Sequence, residues 1–184
     1  LWVLRKSTLV VAVSNFTRNE LIRLGVPQEK IVVIHNGVDP DQFKPGPKSQ
    51  KLISQYGLGN ARVILTVSRL IPRKDHLTVL RALKILKERF ANIRYLIVGD
   101  GPMRPKLEQA ARAMGLSEDV IFTGDVSCEE LKEYYNLCDV FVMTPTSYPS
   151  RGDYEGFGLV YLEAGACEKP VVGTRTGGVP DAIS

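Results

Sequence analysis

The sequence predicts an α/β protein with a parallel sheet covered by helices on both faces. Three observations point to it. Short apolar runs recur at 61–68, 93–99, 119–124, 139–144 and 170–174. Amphipathic stretches with helix start and stop signals lie between them. The connections are short, and strands that alternate with helices over short connections run parallel.

In chain order, LVVAVS at 9–14 reads as a short buried strand, and 15–25 as a helix with polar residues at its start and Gly25 as its stop. KIVVIH at 30–35 is a strand closed by the turn pair Asn36-Gly37. The next stretch, VDPDQFKPGPKSQ, has three prolines and one large apolar residue, Phe43, and reads as a linker. A new series opens with ARVILTVS, a continuous apolar strand of the kind buried on both faces. The helix expected from Asp75 to Phe90 puts Leu80, Leu83, Leu86 and Phe90 on one stripe. A strand at 93–99 and a helix from Pro105 to Met114, stopped by Gly115, follow. After the strand at 119–124, Ser127 and Glu130 form a capping box that opens a helix to Leu137. The strand at 139–144 leads into a polar loop, a helix at 158–167 and a strand at 170–174.

The chain has 184 residues, 44% hydrophobic and 24% charged, with a net charge of +4. That charge suits phosphorylated ligands or an anionic membrane surface, and no basic run calls for nucleic acid. Cys128, Cys138 and Cys167 fit neither a disulfide framework nor a zinc site, so they read as small buried hydrophobes in a reducing cytoplasm. No apolar run approaches the roughly 20 residues that span a bilayer. Both ends read as cut, which makes the chain a fragment of a longer protein. Its open sheet edge favours self-association.

Ligands of parallel sheets sit beyond the carboxyl ends of the strands. The first such end in the main series carries SRLIPRKDH, where Arg69, Arg73 and Lys74 crowd one loop. Grouped cations beside a helix start suit a diphosphate, although Asp75 capping a solvated loop accounts for much of the pattern. The next end carries GDGP, whose Gly99 and Gly101 permit a tight turn and a close approach to a ligand. A third glycine is missing, so a dinucleotide fingerprint is disfavoured. TGDVS follows the next strand and reads as an ordinary turn into the Ser127 cap, although its backbone around Val126 could also face a planar base.

The last strand end leads through a long loop to EGFGLVYLE, Glu155 to Glu163. At the helix start the amides of Gly156, Phe157 and Gly158 are free to bind an anion. Eight residues of helix would leave the two acids about 80° apart around the axis and about 12 Å apart along it. They bracket the amides and do not chelate one metal, an arrangement suited to an elongated ligand with hydroxyls at its ends and phosphates between.

EGFGLVYLE resembles the paired-glutamate motif of the retaining GT-B glycosyltransferases of glycosyltransferase family 4 (group 1). SRLIPRKDH, VGDGP, FTGDVS, EAGACEKPVVGT and GGVPD fall in that family's order, and VSNFTRNEL and IHNGVDPDQF resemble its domain crossing. The resemblance implies a Rossmann-like three-layer α/β/α parallel sheet, truncated at its end. It implies that residues 1–36 are the last strand and helix of an acceptor domain, 37–60 a linker with a lead-in helix, and 61–184 the donor domain. It further implies Arg69 and Lys74 on the donor diphosphate, Val126 near the base, Glu155 on the sugar, and Glu163 on the ribose. Leu159 and Val160 would pack near ribose and phosphates. SRGDYEGFG resembles the loop of phosphatidylinositol mannosyltransferase-like members, and puts Arg151 beside the ligand. The implied substrate is a UDP- or GDP-sugar, used without a metal or other cofactor. The acceptor would be a lipid or saccharide, and the longer protein would act in the cytoplasm, with peripheral contact at the inner face of the membrane. The fragment alone is expected to be inactive.

A GT-B nucleotide-sugar epimerase, a non-catalytic donor-binding subunit and a dehydrogenase domain are the rival readings. His35 and His76 read as structural or surface residues, and Tyr134 and Tyr135 as packing.

Overall fold

The computed structural model describes residues 2–183. Its main sheet has five strands, all parallel: β3 (Arg62–Val67), β4 (Ile93–Val98), β5 (Val120–Gly124), β6 (Val140–Met143) and β7 (Val171–Gly173). Their order is β5-β4-β3-β6-β7. The chain therefore builds outward from β3 in one direction, returns, and builds outward in the other from β6. The order of building thus reverses between β3 and β6, and ligands of such sheets bind beyond the strands' carboxyl ends at a reversal of this kind.

Both faces of the sheet are filled. On one, Ile64, Tyr95 and Ile97 meet Val79, Leu80 and Leu83 of α4 (His76–Lys87) and Leu107 and Ala111 of α5 (Arg104–Ala113). On the other, Leu65, Leu96, Phe141 and Met143 meet Tyr134, Tyr135 and Leu137 of α6 (Cys128–Leu137), and Tyr161 and Ala164 of α7 (Leu159–Ala166). Each large apolar side chain so buried contributes about 1.5–3 kcal/mol. Phe43 from the linker joins the second face with Leu52 of α3 (Gln50–Gln55). The capping box forms as expected: Ser127 accepts from the Glu130 amide, and Glu130 returns to the Ser127 amide.

Ahead of this sheet, α1 (Trp2–Lys6), β1 (Val10–Ala12), α2 (Asn15–Arg23) and β2 (Ile31–Val33) form a small unit. β1 and β2 pair in parallel. The strand at 9–14 is shorter than expected and buried on one face only: Val10 and Ala12 are covered, whereas Val11 is 52% exposed.

Three other expectations change. Asp75 is no ordinary helix cap, because it adopts φ 44° and ψ 49° and its side chain accepts from Thr78 Oγ1. Phe90 lies past the end of α4, exposed, with the Arg62 guanidinium 4.7 Å above its ring. Cys128 is exposed at the first position of α6; only Cys138 and Cys167 are buried.

The small unit rests on the β6–α7 loop and on α8 (Val179–Ala182). Phe16 meets Tyr154 edge-on at 4.8 Å, and Asn15 donates to Asp181 at 2.5 Å. The His35 ring lies 5.6 Å from Phe157, and its Nε2 is 3.3 Å from Asp181 Oδ1.

Candidate functional site

The β3 loop is anchored before it reaches the β6–α7 loop. Leu70 N–H donates to Asp100 O at 2.8 Å, and Met103 N–H to Leu70 O at 2.9 Å. This is why the GDGP turn needs its glycines. A Cβ on Gly99 would stand 2.1 Å from Ser68 O, and one on Gly101 2.6 Å from Leu70 O. Both glycines thus let the turn pack closely against the protein's own cationic loop.

The loop then makes a single 3₁₀ turn, Pro72–Lys74, and delivers two cations to one acid. Lys74 Nζ lies 2.5 Å, and Arg73 Nη1 2.7 Å, from Glu155 Oε2. Arg73 is only 8% exposed. Its Nε stands 2.8 Å from Asp153 Oδ1, a charge contact without the alignment of a hydrogen bond. The two loops are also joined through the backbone: Thr146 N–H donates to Arg73 O at 2.8 Å, and Thr144 Oγ1 to Asp75 O at 3.1 Å.

Burial raises the Glu155 carboxyl, but Lys74 and Arg73 outweigh it and hold the group below its ordinary range. Burial pushes the Lys74 ammonium down; Glu155 opposes this, and Arg73 and Arg69 add to it. Arg69 thus stands close enough to act on Lys74, yet it is exposed, and its guanidinium binds no described residue. His76, just beyond, is 2% exposed, with Nε2 3.1 Å from Ser68 Oγ. Burial, then the charge of Lys74, pushes its pKa down to about 4.

From the other side, the backbone at Glu155 is gripped by the glycine pair of GGVPD. Gly178 N–H donates to Glu155 O at 2.8 Å. A Cβ on Gly177 would stand 2.3 Å from Glu155 O, and one on Gly178 1.9 Å from Gly156 O. The helix that follows starts at Leu159, with Gly158 at φ 98° as its cap residue. The backbone N–H groups of Gly156, Phe157, Gly158, Leu159 and Val160 donate to no described residue. The Phe157 ring is buried and Leu159 is exposed. Arg151 is exposed and lies 6.0 Å over the Tyr148 ring, with no contact to Glu155.

Glu163 lies just over one turn into α7, away from these cations. Its Oε2 accepts from Tyr135 Oη at 2.5 Å. Burial raises its pKa, and the Tyr135 hydrogen bond only partly offsets this. Val126 packs against the same side of the sheet, partly buried.

The structure therefore gathers Lys74, Arg73 and Glu155, with Arg69 beside them and five free amides following Glu155. It sets Glu163 apart with a different partner. Among the described residues, no three His, Cys, Asp or Glu side chains come together as a metal site. Sequence reasoning fixed no role for Asp153, read Tyr135 as packing, and took GGVPD only as part of the resemblance, without the Gly177-Gly178 grip. Only the glycine pair left a visible signal.

A family model described as Glycosyl transferases group 1 matches residues 48–184, and one described as Glycosyltransferase Family 4 matches residues 1–42. The chain belongs to the group 1 glycosyl transferases. Within that grouping it is 38% identical over 176 residues to the GDP-mannose-dependent alpha-(1-6)-phosphatidylinositol monomannoside mannosyltransferase of Mycolicibacterium smegmatis. The match covers 95% of this chain and 46% of the relative, so the chain spans about half the length of that protein. The protein of the same name from Mycobacterium tuberculosis is 35% identical over the same span. Among solved structures, Anabaena HepE in complex with UDP-glucose superposes with a TM-score of 0.86 at 30% identity. It covers 98% of this chain and 48% of that one. The five-stranded parallel sheet of this group 1 glycosyl transferase is thus that of GT-B enzymes.

Proposed function

We propose that the chain is the donor-binding part of a retaining glycosyltransferase that moves a hexose from a nucleoside-diphosphate sugar to a lipid or saccharide acceptor. Residues 1–36 belong to the acceptor-side domain, 37–60 join the halves, and 61–184 hold the donor. The observation that carries the reading is the cluster of Lys74, Arg73 and Glu155, with free amides following it, at the sheet's reversal point.

The chemistry follows from the charges. Departure of the nucleoside diphosphate takes the bonding electron pair from the sugar carbon and builds negative charge on phosphate oxygen. The acceptor oxygen forms the new bond to that carbon, and its proton passes to the departing phosphate oxygen. Lys74, held by Glu155, and the amides from Gly156 to Val160 are fixed donors that stabilise the leaving charge without reorganising, and Arg69, exposed beside Lys74, adds a second cation. Glu155 accepts from the sugar hydroxyls through Oε1, since Oε2 is taken by Arg73 and Lys74. Glu163 accepts from the ribose, Val126 lies by the base, and Leu159 and Val160 line the ribose and phosphates. Arg151 borders the donor loop.

The mycobacterial relatives support GDP-mannose as donor and a phosphatidylinositol mannoside as acceptor. Such an acceptor would bring the longer, cytoplasmic protein to the inner face of the membrane. No described helix is long and apolar enough to cross one.

The test is turnover of the full-length protein with GDP-mannose, or with UDP-glucose should a thermal-shift panel of nucleotides and their sugars favour uridine. Lys74→Ala should reduce turnover 100-fold or more, as loss of a charge-stabilising donor does, and Arg69→Ala should also reduce it strongly. Transfer should continue in EDTA. Wild-type turnover in both variants, or release of an epimerised sugar without transfer, would overturn the reading.

A further inference from the structure

We propose that Tyr135 is a positioning residue of the nucleotide site: its hydroxyl fixes Glu163 through Oε2 and leaves Oε1 to receive a ribose hydroxyl. This rests on the reading of Glu163 as the ribose acceptor.

The Tyr135 ring is fully buried, edge-on to Phe43 at 5.7 Å and 5.8 Å from Phe141. Phenylalanine would fill this space equally well, so packing does not account for the hydroxyl. A buried tyrosine hydroxyl needs a partner, and this one has Glu163 Oε2. The adjacent Tyr134 differs, since its hydroxyl pairs with Tyr56 Oη at 2.8 Å. No described residue donates to Glu163 Oε1. Tyr135 sits in the last turns of α6, which is capped at its start and packed on the sheet, so its hydroxyl is a rigid anchor. Glu163 is the mobile partner: a side chain with several rotamers, ordered before the ligand arrives, loses less freedom on binding.

The other titratable groups around this pair are Cys167 at the end of α7, Cys138 at the end of α6, and Lys169. None of their side chains hydrogen-bonds the Glu163 carboxylate; the one bond from this group is the Cys167 backbone N–H to the Glu163 backbone oxygen at 3.2 Å. The Tyr135 hydroxyl is thus the one described donor that favours the carboxylate, and it works against a burial that raises the group.

The experiment is calorimetric titration of the full-length protein with GDP and UDP and with their 2′,3′-dideoxy counterparts. Tyr135→Phe should weaken the ribonucleotide that binds by about tenfold. It should leave the dideoxy nucleotide unchanged. The acidic limb of ribonucleotide affinity should move to higher pH, because the carboxylate loses its donor. In a Glu163→Ala background, Tyr135→Phe should have no further effect. Replacing Tyr135 by 3-fluorotyrosine keeps the shape and strengthens the donor, so the acidic limb should move the other way; this arm reads the hydroxyl even if Tyr135→Phe folds poorly. Equal loss for both nucleotides, no loss for either, or an unmoved limb would overturn the proposal. The reading it rests on fails separately: in that case Glu163→Ala itself would not distinguish ribose from dideoxyribose.

Discussion

Glu155 and Glu163 stand eight residues apart at the two ends of one short segment, and the fold treats them in opposite ways. Burial raises both carboxyls. At Glu155 a guanidinium and an ammonium reverse the effect; at Glu163 a neutral hydroxyl does not. Glu155 is therefore a structural ion, because it neutralises Arg73 and Lys74 and joins the β3 and β6 loops. Glu163 adds no such link. Its charge costs the fold something, and that cost is understandable if the acid is held ready for a partner outside the protein.

The strongest way to break this comparison is Glu155→Gln. The amide still accepts from one cation, but Arg73 and Lys74 then face each other without a negative charge, in a site where the glutamate side chain is 13% exposed. The expected cost is about 2–3 kcal/mol, the range for losing hydrogen bonds to a charged group. For a chain of this length that lowers the unfolding midpoint by roughly 5–10 °C. Circular dichroism at pH 7 measures it. A midpoint within a degree of wild type would mean that the cations do not depend on Glu155.

Much of this fold was legible in the sequence, while little of this pairing was. The five strands of the main sheet are apolar runs, and their parallel sense follows from the helices between them. The Ser127–Glu130 box is local and formed as read. Arg73 and Glu155, by contrast, meet across 82 positions, and Tyr135 and Glu163 across 28. Local periodicity reports which face a residue lies on and carries no information about a partner on another element. For the same reason Arg73 was placed with Arg69 and Lys74 as one basic loop. The turn at Pro72–Lys74 and the left-handed backbone at Asp75 direct Arg73 inward to Glu155 and Asp153. GGVPD is the intermediate case. Two adjacent glycines mark a close approach, but only the fold shows that the approach is to Glu155 and Gly156.

His76 sharpens the comparison from the cationic side. Buried, and beside Lys74, it remains neutral at pH 7, with its pKa pushed down to about 4. The folded state therefore binds fewer protons than the unfolded state between about pH 6.5, the ordinary histidine value, and pH 4. Its contribution is complete above pH 6.5, declines as the pH falls, and is gone below about 4. The decline amounts to about 3 kcal/mol at most. His76→Gln, which keeps a partner for Ser68, should flatten the loss of unfolding midpoint over that window. Equal slopes for variant and wild type would show that burial and the charge of Lys74 do not disfavour the proton on His76.

The smallest expected effect has the opposite sign. Glu163 has a raised carboxyl, so its contribution to stability is present below the ordinary glutamate range and is lost as the pH rises through the folded value. At pH 7 it is ionised against the preference of its surroundings. Glu163→Gln removes that charge, keeps an oxygen for the Tyr135 hydroxyl, and should raise the unfolding midpoint by about 1–2 °C. The gain should shrink as the pH is lowered toward the ordinary carboxylate range, where wild type also becomes neutral. A midpoint that falls at pH 7 would show that the ionised Glu163 supports the fold as Glu155 does, and the contrast between the two ends would be lost. A rise in midpoint together with weaker nucleotide binding is the combination expected of a side chain held for its ligand at the expense of the fold.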